Sequence, residues 1–147
     1  MIWTRNGKYY FEKTSEIGYD EIKEDGFPEG MPRVKLNGKY GIIRATDGSY
    51  LIPAICDSIK FDVPKEYEDE RNWPSFIGNI ICYIVSINGK FGTFDEKGHP
   101  LIPCKYAYLS SLRNYDNGYS SMRGFYRIKL NGKVGTANRV GEVAWEV

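Results

Sequence analysis

Apolar and polar residues alternate along much of this chain, and one recurring pair of residues interrupts the alternation. Tyr126, Ile128 and Leu130 fall on one side of an extended segment with Arg127 and Lys129 on the other, and Val34 and Leu36 alternate with Arg33 and Lys35. Tyr83, Val85 and Ile87 likewise oppose Ile84 and Ser86. A period of two is that of a β-strand with one buried face. Each segment then runs into Asn-Gly-Lys, at Asn37, Asn88 and Asn131, and a fourth copy stands at Asn6. Asn and Gly best tolerate the two positive φ values of a type I′ turn, so the pattern predicts four tight hairpins. The copy at Asn6 has Trp3 on its apolar side but Arg5 where the others carry Leu or Ile, which predicts a weaker or exposed inner face.

After each of the later turns comes Lys-aromatic-Gly or its variant: Lys39-Tyr40-Gly41, Lys90-Phe91-Gly92 and Lys133-Val134-Gly135. A glycine inside a strand marks a bulge, a bend or a close approach of a neighbour. A second turn follows at Asp47-Gly48, Lys97-Gly98 and Val140-Gly141, and then a third strand, Tyr50-Leu51-Ile52-Pro53 or Leu101-Ile102-Pro103. Proline has no N–H for a ladder, so this strand is expected to end there or to lie on an edge. The unit is strand, turn, strand, turn, strand, without a helical segment. Spacing between the Asn-Gly pairs is irregular, and the variation sits in the connections.

The run Asn88-Gly89-Lys90-Phe91-Gly92, a Gly turn at Gly98, and Leu101-Ile102-Pro103-Cys104-Lys105-Tyr106 resembles the WG repeat family, also called KWG. The resemblance extends from about Pro32 to Trp145 and more weakly from Ile2 to Ile22. The eponymous Trp is Tyr40, Phe91 or Val134 here, Tyr10 replaces the following Gly in the first copy, and the Asp at Asp95 is Arg44 or Asn138 elsewhere. The resemblance implies an all-β chain of antiparallel hairpin or meander repeats, in an open stacked array or a barrel-like or propeller-like arrangement. It implies a scaffold and carries no shared catalytic residues. The expected organisation is one domain, 1–147, of about four units: a degenerate cap at 2–22, then 32–59, 82–109 and 125–147.

Two long connectors carry the candidate chemistry. Lys60 to Asn79 holds a run of carboxylates followed by aromatic rings, and its candidate partner-binding residues are Asp62, Glu66, Tyr67, Glu68, Asp69, Glu70 and Trp73. A loop of this length inside a compact domain is usually functional or disordered, and Trp and Tyr dominate binding hot spots. The competing reading is a solvated loop with Trp73 and Phe76 folded back on the core. Ser110 to Gly124 is built from Tyr, Ser, Gly, Asn and Arg, the palette of a paratope, and offers Arg113, Tyr115, Tyr119 and Arg123.

The 147 residues suffice to bury a core without staples, and the net charge of +1 offers no basic footprint for nucleic acid. The start of the chain already reads as a hairpin rather than a secretory signal, and no apolar run reaches the ~20 residues of a membrane helix. Cys56, Cys82 and Cys104 are odd in number and lie in or beside apolar strands. They read as small buried hydrophobes in a reducing, cytoplasmic setting. With one histidine and no Cys-x-x-Cys, no metal site and no cofactor are expected. His99 lacks a catalytic neighbour in sequence, and Glu68, Asp69 and Glu70 crowd one loop rather than face each other across a cleft, so no enzyme is expected. The reading that remains is a protein-binding module. Its sharper form is an immunity protein whose acidic and Tyr-rich loops cover a bacterial toxin, and its alternative is a structural or surface-associated repeat protein without a single tight partner.

Overall fold

The computed structural model describes residues 2–11, 17–112 and 124–146. Among them there is no α-helix; fourteen strands run β1 (Ile2–Arg5), β2 (Lys8–Phe11), β3 (Glu21–Lys23), β4 (Arg33–Leu36), β5 (Lys39–Ile43), β6 (Tyr50–Cys56), β7 (Ser58–Asp62), β8 (Cys82–Ile87), β9 (Lys90–Phe94), β10 (Pro100–Tyr106), β11 (Tyr108–Ser111), β12 (Phe125–Leu130), β13 (Lys133–Asn138) and β14 (Val143–Trp145). The chain forms two compact units, Met1–Lys60 and Phe61–Val147, and the division falls within β7.

The four Asn-Gly-Lys copies form the turns their chemistry demands. Asn6, Asn37, Asn88 and Asn131 each have φ of 52°, and the following glycines have φ between 77° and 82°. The residues flanking each pair face each other directly: Arg5 with Lys8, Leu36 with Lys39, Ile87 with Lys90 and Leu130 with Lys133. Around the last three hairpins three antiparallel sheets follow one plan, in the orders β3-β4-β5-β6, β7-β8-β9-β10 and β11-β12-β13-β14. Each is open, with two edges, so none closes into a barrel. The second and third sheets each take as their first strand the segment just after the fourth strand of the sheet before, with only Asp57 or Ala107 between. A sheet's limits therefore differ from those of the motif: Ser58-Ile59 and Tyr108-Leu109, which end the 32–59 and 82–109 motifs, open the next sheet.

Gly41 and Gly92 sit where the fourth strand bows inward over the third. Tyr40 faces Cys56 and Ile42 faces Ile52, so three residues of β6 span the place of one on β5, and β10 repeats the bulge against β9. A Cβ on Gly41 would stand 2.7 Å from the Ile52 carbonyl oxygen, and one on Gly92 would stand 2.7 Å from the Cys104 nitrogen. Pro53 and Pro103 lie inside these bulges on edge strands, exposed, and the strand continues through them. The edge position is as expected from the missing N–H; the bulge removes the need for the strand to stop.

In the first unit the β1-β2 hairpin and the sheet beginning at β3 share a core of Phe11, Tyr19, Val34 and Ile43, with Ile2, Ile22, Leu36 and Tyr50 against it. In the second unit Cys82, Ile84, Ile102 and Tyr106 pack on Leu109, Tyr126, Ile128 and Ala137 from the sheet that follows. β12 buries Tyr126 and Ile128 and turns Lys129 outward, as its alternation requires. β8 departs from the one-faced expectation: Cys82 to Ser86 are all buried. Ile84 faces the core just named, while Tyr83 packs on Phe61 with ring centres 5.0 Å apart. A short apolar run with no charge is compatible with burial on both faces, which alternation cannot distinguish.

Asp95 closes the second turn of its unit, accepting from the Lys97 and His99 amides at 2.9 and 2.8 Å. Asn138 does the same for Val140 and Glu142 at 3.2 and 2.9 Å. In the unit carrying Arg44 the acceptor has moved to Asp47, which takes the Ser49 amide at 2.9 Å. The turn requires the oxygen, not one fixed position for it.

Three outcomes follow from these contacts. Gly92→Ala, which forces backbone against a new methyl, is expected to lower stability by about 1–3 kcal/mol or more in denaturant unfolding. Asn88→Ala costs about 1–2 kcal/mol through its left-handed φ, whereas Asn88→Gly leaves stability within a few tenths of a kcal/mol. Burial raises the phenol pKa of Tyr19, Tyr83 and Tyr126 above the ordinary value, with neighbouring Glu70 and Glu96 adding to it at Tyr83. Their folded-state pKa exceeds the unfolded one of about 10, so their contribution is intact below pH 10 and is lost as pH rises beyond it. Alkaline titration by phenolate absorbance should accordingly show these rings ionising together with unfolding, and a gradual, fold-preserving ionisation of all tyrosines would contradict this.

Candidate protein-interaction surface

The connector between β7 and β8 is ordered into three short 3-10 turns, Lys65–Tyr67, Glu70–Asn72 and Ile77–Asn79. A proline caps the first, and another stands in the turn that leads into the third. Pro64 and Pro74 lack N–H groups, but their carbonyls accept from Tyr67 and Ile77 at 2.9 and 3.1 Å. Asp69 opens the second turn by taking the Arg71 amide at 3.0 Å, and the Arg71 guanidinium returns to the same carboxylate at 2.8 and 3.1 Å. These hydrogen bonds hold the Asp69 carboxyl below its ordinary range. Both side chains are largely solvated, so the pair shapes the turn more than it stabilises the protein.

Trp73 is the loop's internal anchor. Its indole N–H donates to the Tyr67 carbonyl at 2.5 Å, and its ring lies over Phe61 with centres 6.3 Å apart. Phe61 in turn contacts Tyr83, so the loop is fastened through aromatic contact to the strand pair that bears it. The far end is fastened differently. Arg139, in the turn after β13, donates to the Ile81 carbonyl at 2.6 Å and stands 3.6 Å from Glu96, while Gly78 passes so close to Glu96 that a Cβ there would lie 3.1 Å from its Oε1.

The sequence-derived candidates separate accordingly. Glu66, Glu68 and Glu70 are exposed, Asp69 is half-exposed beside Arg71, and Tyr67 is half-buried. Trp73 is half-buried and turned toward the loop's own interior, as in the competing reading of this connector. Asp62 requires a correction: the end of β7 carries it inward to 1% exposure, so it is not part of the loop's anionic surface. Phe76, 49% exposed and edge-on to Tyr67 with ring centres 6.3 Å apart, carries the apolar surface expected of Trp73. The sequence held a signal for this exchange, since Phe has no polar atom with which to tie itself to a neighbouring carbonyl. Arg139 had no such signal, lying 58 residues from the carbonyl it holds.

Arg113, Tyr115, Tyr119 and Arg123 lie outside the described residues. The flanking β11 and β12 place their connector between the first and second strands of a sheet, the same topological slot as the loop after β7 and the Glu24 to Pro32 segment after β3. That shorter segment presents Glu24, Asp25 and Glu29 around a shallow cleft, a second acidic surface. His99 is exposed, with Nδ1 3.4 Å from the Asp95 carboxylate that closes its own turn. Cys56 and Cys82 are fully buried, and the Cys82 sulfur lies 3.1 Å from the Tyr126 hydroxyl. Among the described residues no three His, Cys, Asp or Glu side chains are grouped to hold a metal ion.

Comparison with curated proteins and with solved structures gives no match. The family model described as WG containing repeat matches residues 91–133. That span starts at Phe91, beside the glycine over which β10 bows, takes in β10, β11 and β12, and ends on Lys133 after the Asn131-Gly132 turn. From Phe91 to Lys133, therefore, the chain is similar to the WG containing repeat.

Proposed function

We propose that this chain is a non-catalytic protein-binding module whose recognition surface is the acidic, aromatic loop between β7 and β8. The observation that carries the reading is the loop's construction. Glu66, Glu68 and Glu70 are displayed beside the Tyr67–Phe76 pair, on a backbone tied internally by Trp73 and at its end by Arg139. Ordering a loop in advance removes part of the entropy that binding would otherwise cost, and an exposed aromatic ring within a charged rim is the composition of an interface hot spot. The partner surface that matches it is basic with an apolar recess.

The finer proposal is an immunity protein that covers a bacterial toxin domain, in the cytoplasm, using this loop together with the Tyr-rich connector. A structural repeat protein without a single tight partner remains the alternative, favoured by the inward turn of Trp73.

Co-expression with the product of the adjacent reading frame tests the toxin version. Restored growth and a co-purifying complex are expected, and the absence of both would remove it. With a basic partner in hand, the combined variant Glu66→Gln, Glu68→Gln, Glu70→Gln should weaken binding by about tenfold, mainly through slower association at low salt. Phe76→Ala should accelerate dissociation, and neither variant should shift the melting temperature appreciably. Unchanged kinetics in both would remove the loop from the interface.

A further inference from the structure

Among the described residues the β1-β2 hairpin follows the same plan with two strands, β1 and β2, and a single rung at Tyr19. Tyr9 pairs with Tyr19 as Tyr40 pairs with Cys56 and Phe91 with Tyr106, so Tyr19 is the last rung of a fourth strand. Lys8 pairs with Asp20 just as Lys39 pairs with Asp57, at the same junction. The first strand has no such remnant: β1 corresponds to β4, β8 and β12, each of which is flanked by β3, β7 or β11, yet among the described residues no strand lies on the outer edge of β1.

The open slot leaves two marks. Val34, Val85 and Ile128, three residues before their Asn, are fully buried, whereas Trp3 in that position is 36% exposed. In the occupied sheets the carbonyl two residues before Asn accepts from the incoming chain, Asp20 N–H to Lys35 at 2.8 Å and Ala107 N–H to Lys129 at 2.9 Å. The equivalent residue is Thr4. Its partner Tyr9 exchanges backbone bonds with Tyr19 on the far side of β2, so the backbone groups of this pair point outward and those of Thr4 face the empty edge.

We propose that the outer edge of β1 takes up an extended strand from a protein partner by β-augmentation, with an Ile or Leu placed opposite Trp3 and polar residues beside it. The occupied sheets define that chemistry: Ile22 faces Val34 between Glu21 and Lys23, and Leu109 faces Ile128 between Tyr108 and Ser110. Backbone hydrogen bonds supply affinity in this mode and the single apolar residue supplies register. The inference does not depend on the acidic loop.

The test is amide hydrogen exchange by NMR on the 147-residue chain, with an end-capped peptide of sequence Tyr-Asp-Glu-Ile-Lys-Glu, that of residues 19–24, and a control with Asp in place of its Ile. At saturation the first peptide is expected to slow exchange at Ile2 and Thr4 by about tenfold or more, and the control to leave it unchanged. Thr4→Pro, which removes an outward N–H at an edge position, should abolish the effect while the Val34 and Tyr19 amides stay protected. No slowing with the first peptide, or equal slowing by both, would overturn the proposal. So would protection that rises with protein concentration in the absence of peptide, because the occupant would then be a second copy of this chain.

Discussion

At Gly41 and Gly92 a neighbouring strand bows so close that a methyl group would collide with its main chain. The unit depends on that vacancy. It lets a seven-residue edge strand accommodate its bulge and its proline without leaving the sheet, and it brings Ile52 and Ile102 to almost complete burial. In the first hairpin the position is Tyr10, whose ring stacks on Trp3 and comes so near Gly18 that a Cβ there would stand 2.7 Å from the Tyr10 hydroxyl oxygen. The ring occupies the gap that the other units leave open, and among the described residues the Tyr9–Tyr19 bridge is the rung that stands on that side of β2.

Local steric rules were legible in the sequence because they act between adjacent residues. The φ of Asn, the missing Cβ of Gly, the missing N–H of Pro and the short reach of the Asp95 carboxylate each predict a local geometry without reference to the rest of the chain. Allocation of strands to sheets was not legible. Ser58-Ile59 reads as the close of one motif, yet a single intervening residue lets the chain change partners, and nothing in the local pattern states which neighbour it will choose. Asp62 differs from the loop's carboxylates for a related reason: it stands next to an acidic loop in sequence but still belongs to β7, and it is buried beside Phe61 where strict alternation would have put it on the exposed face of Ser58 and Lys60.

The loop after β7 shows how side-chain chemistry divides labour among similar residues. Trp73 and Phe76 are both large and apolar, but only the indole carries a donor, and that donor binds Trp73 to a loop carbonyl while Phe76 is left facing solvent. The carboxylates divide likewise. Asp69, with the shortest side chain, bends back to cap its own turn, and the longer Glu66, Glu68 and Glu70 stand exposed on the loop. The loop's acidity is thus part architecture and part display.

Because one residue, Asp57 or Ala107, joins the fourth strand of a sheet to the first strand of the next, no cut at a sheet boundary can free a module without breaking a nearly continuous β-ribbon. The natural seams for duplication lie instead in the loops between first and second strands. A segment copied between two such seams carries three strands of its own sheet and lends the fourth to its successor. Growth by such copying always leaves an incomplete sheet at the leading end and a lent strand at the trailing one, so a lineage built this way must either cap its ends or recruit something to complete them.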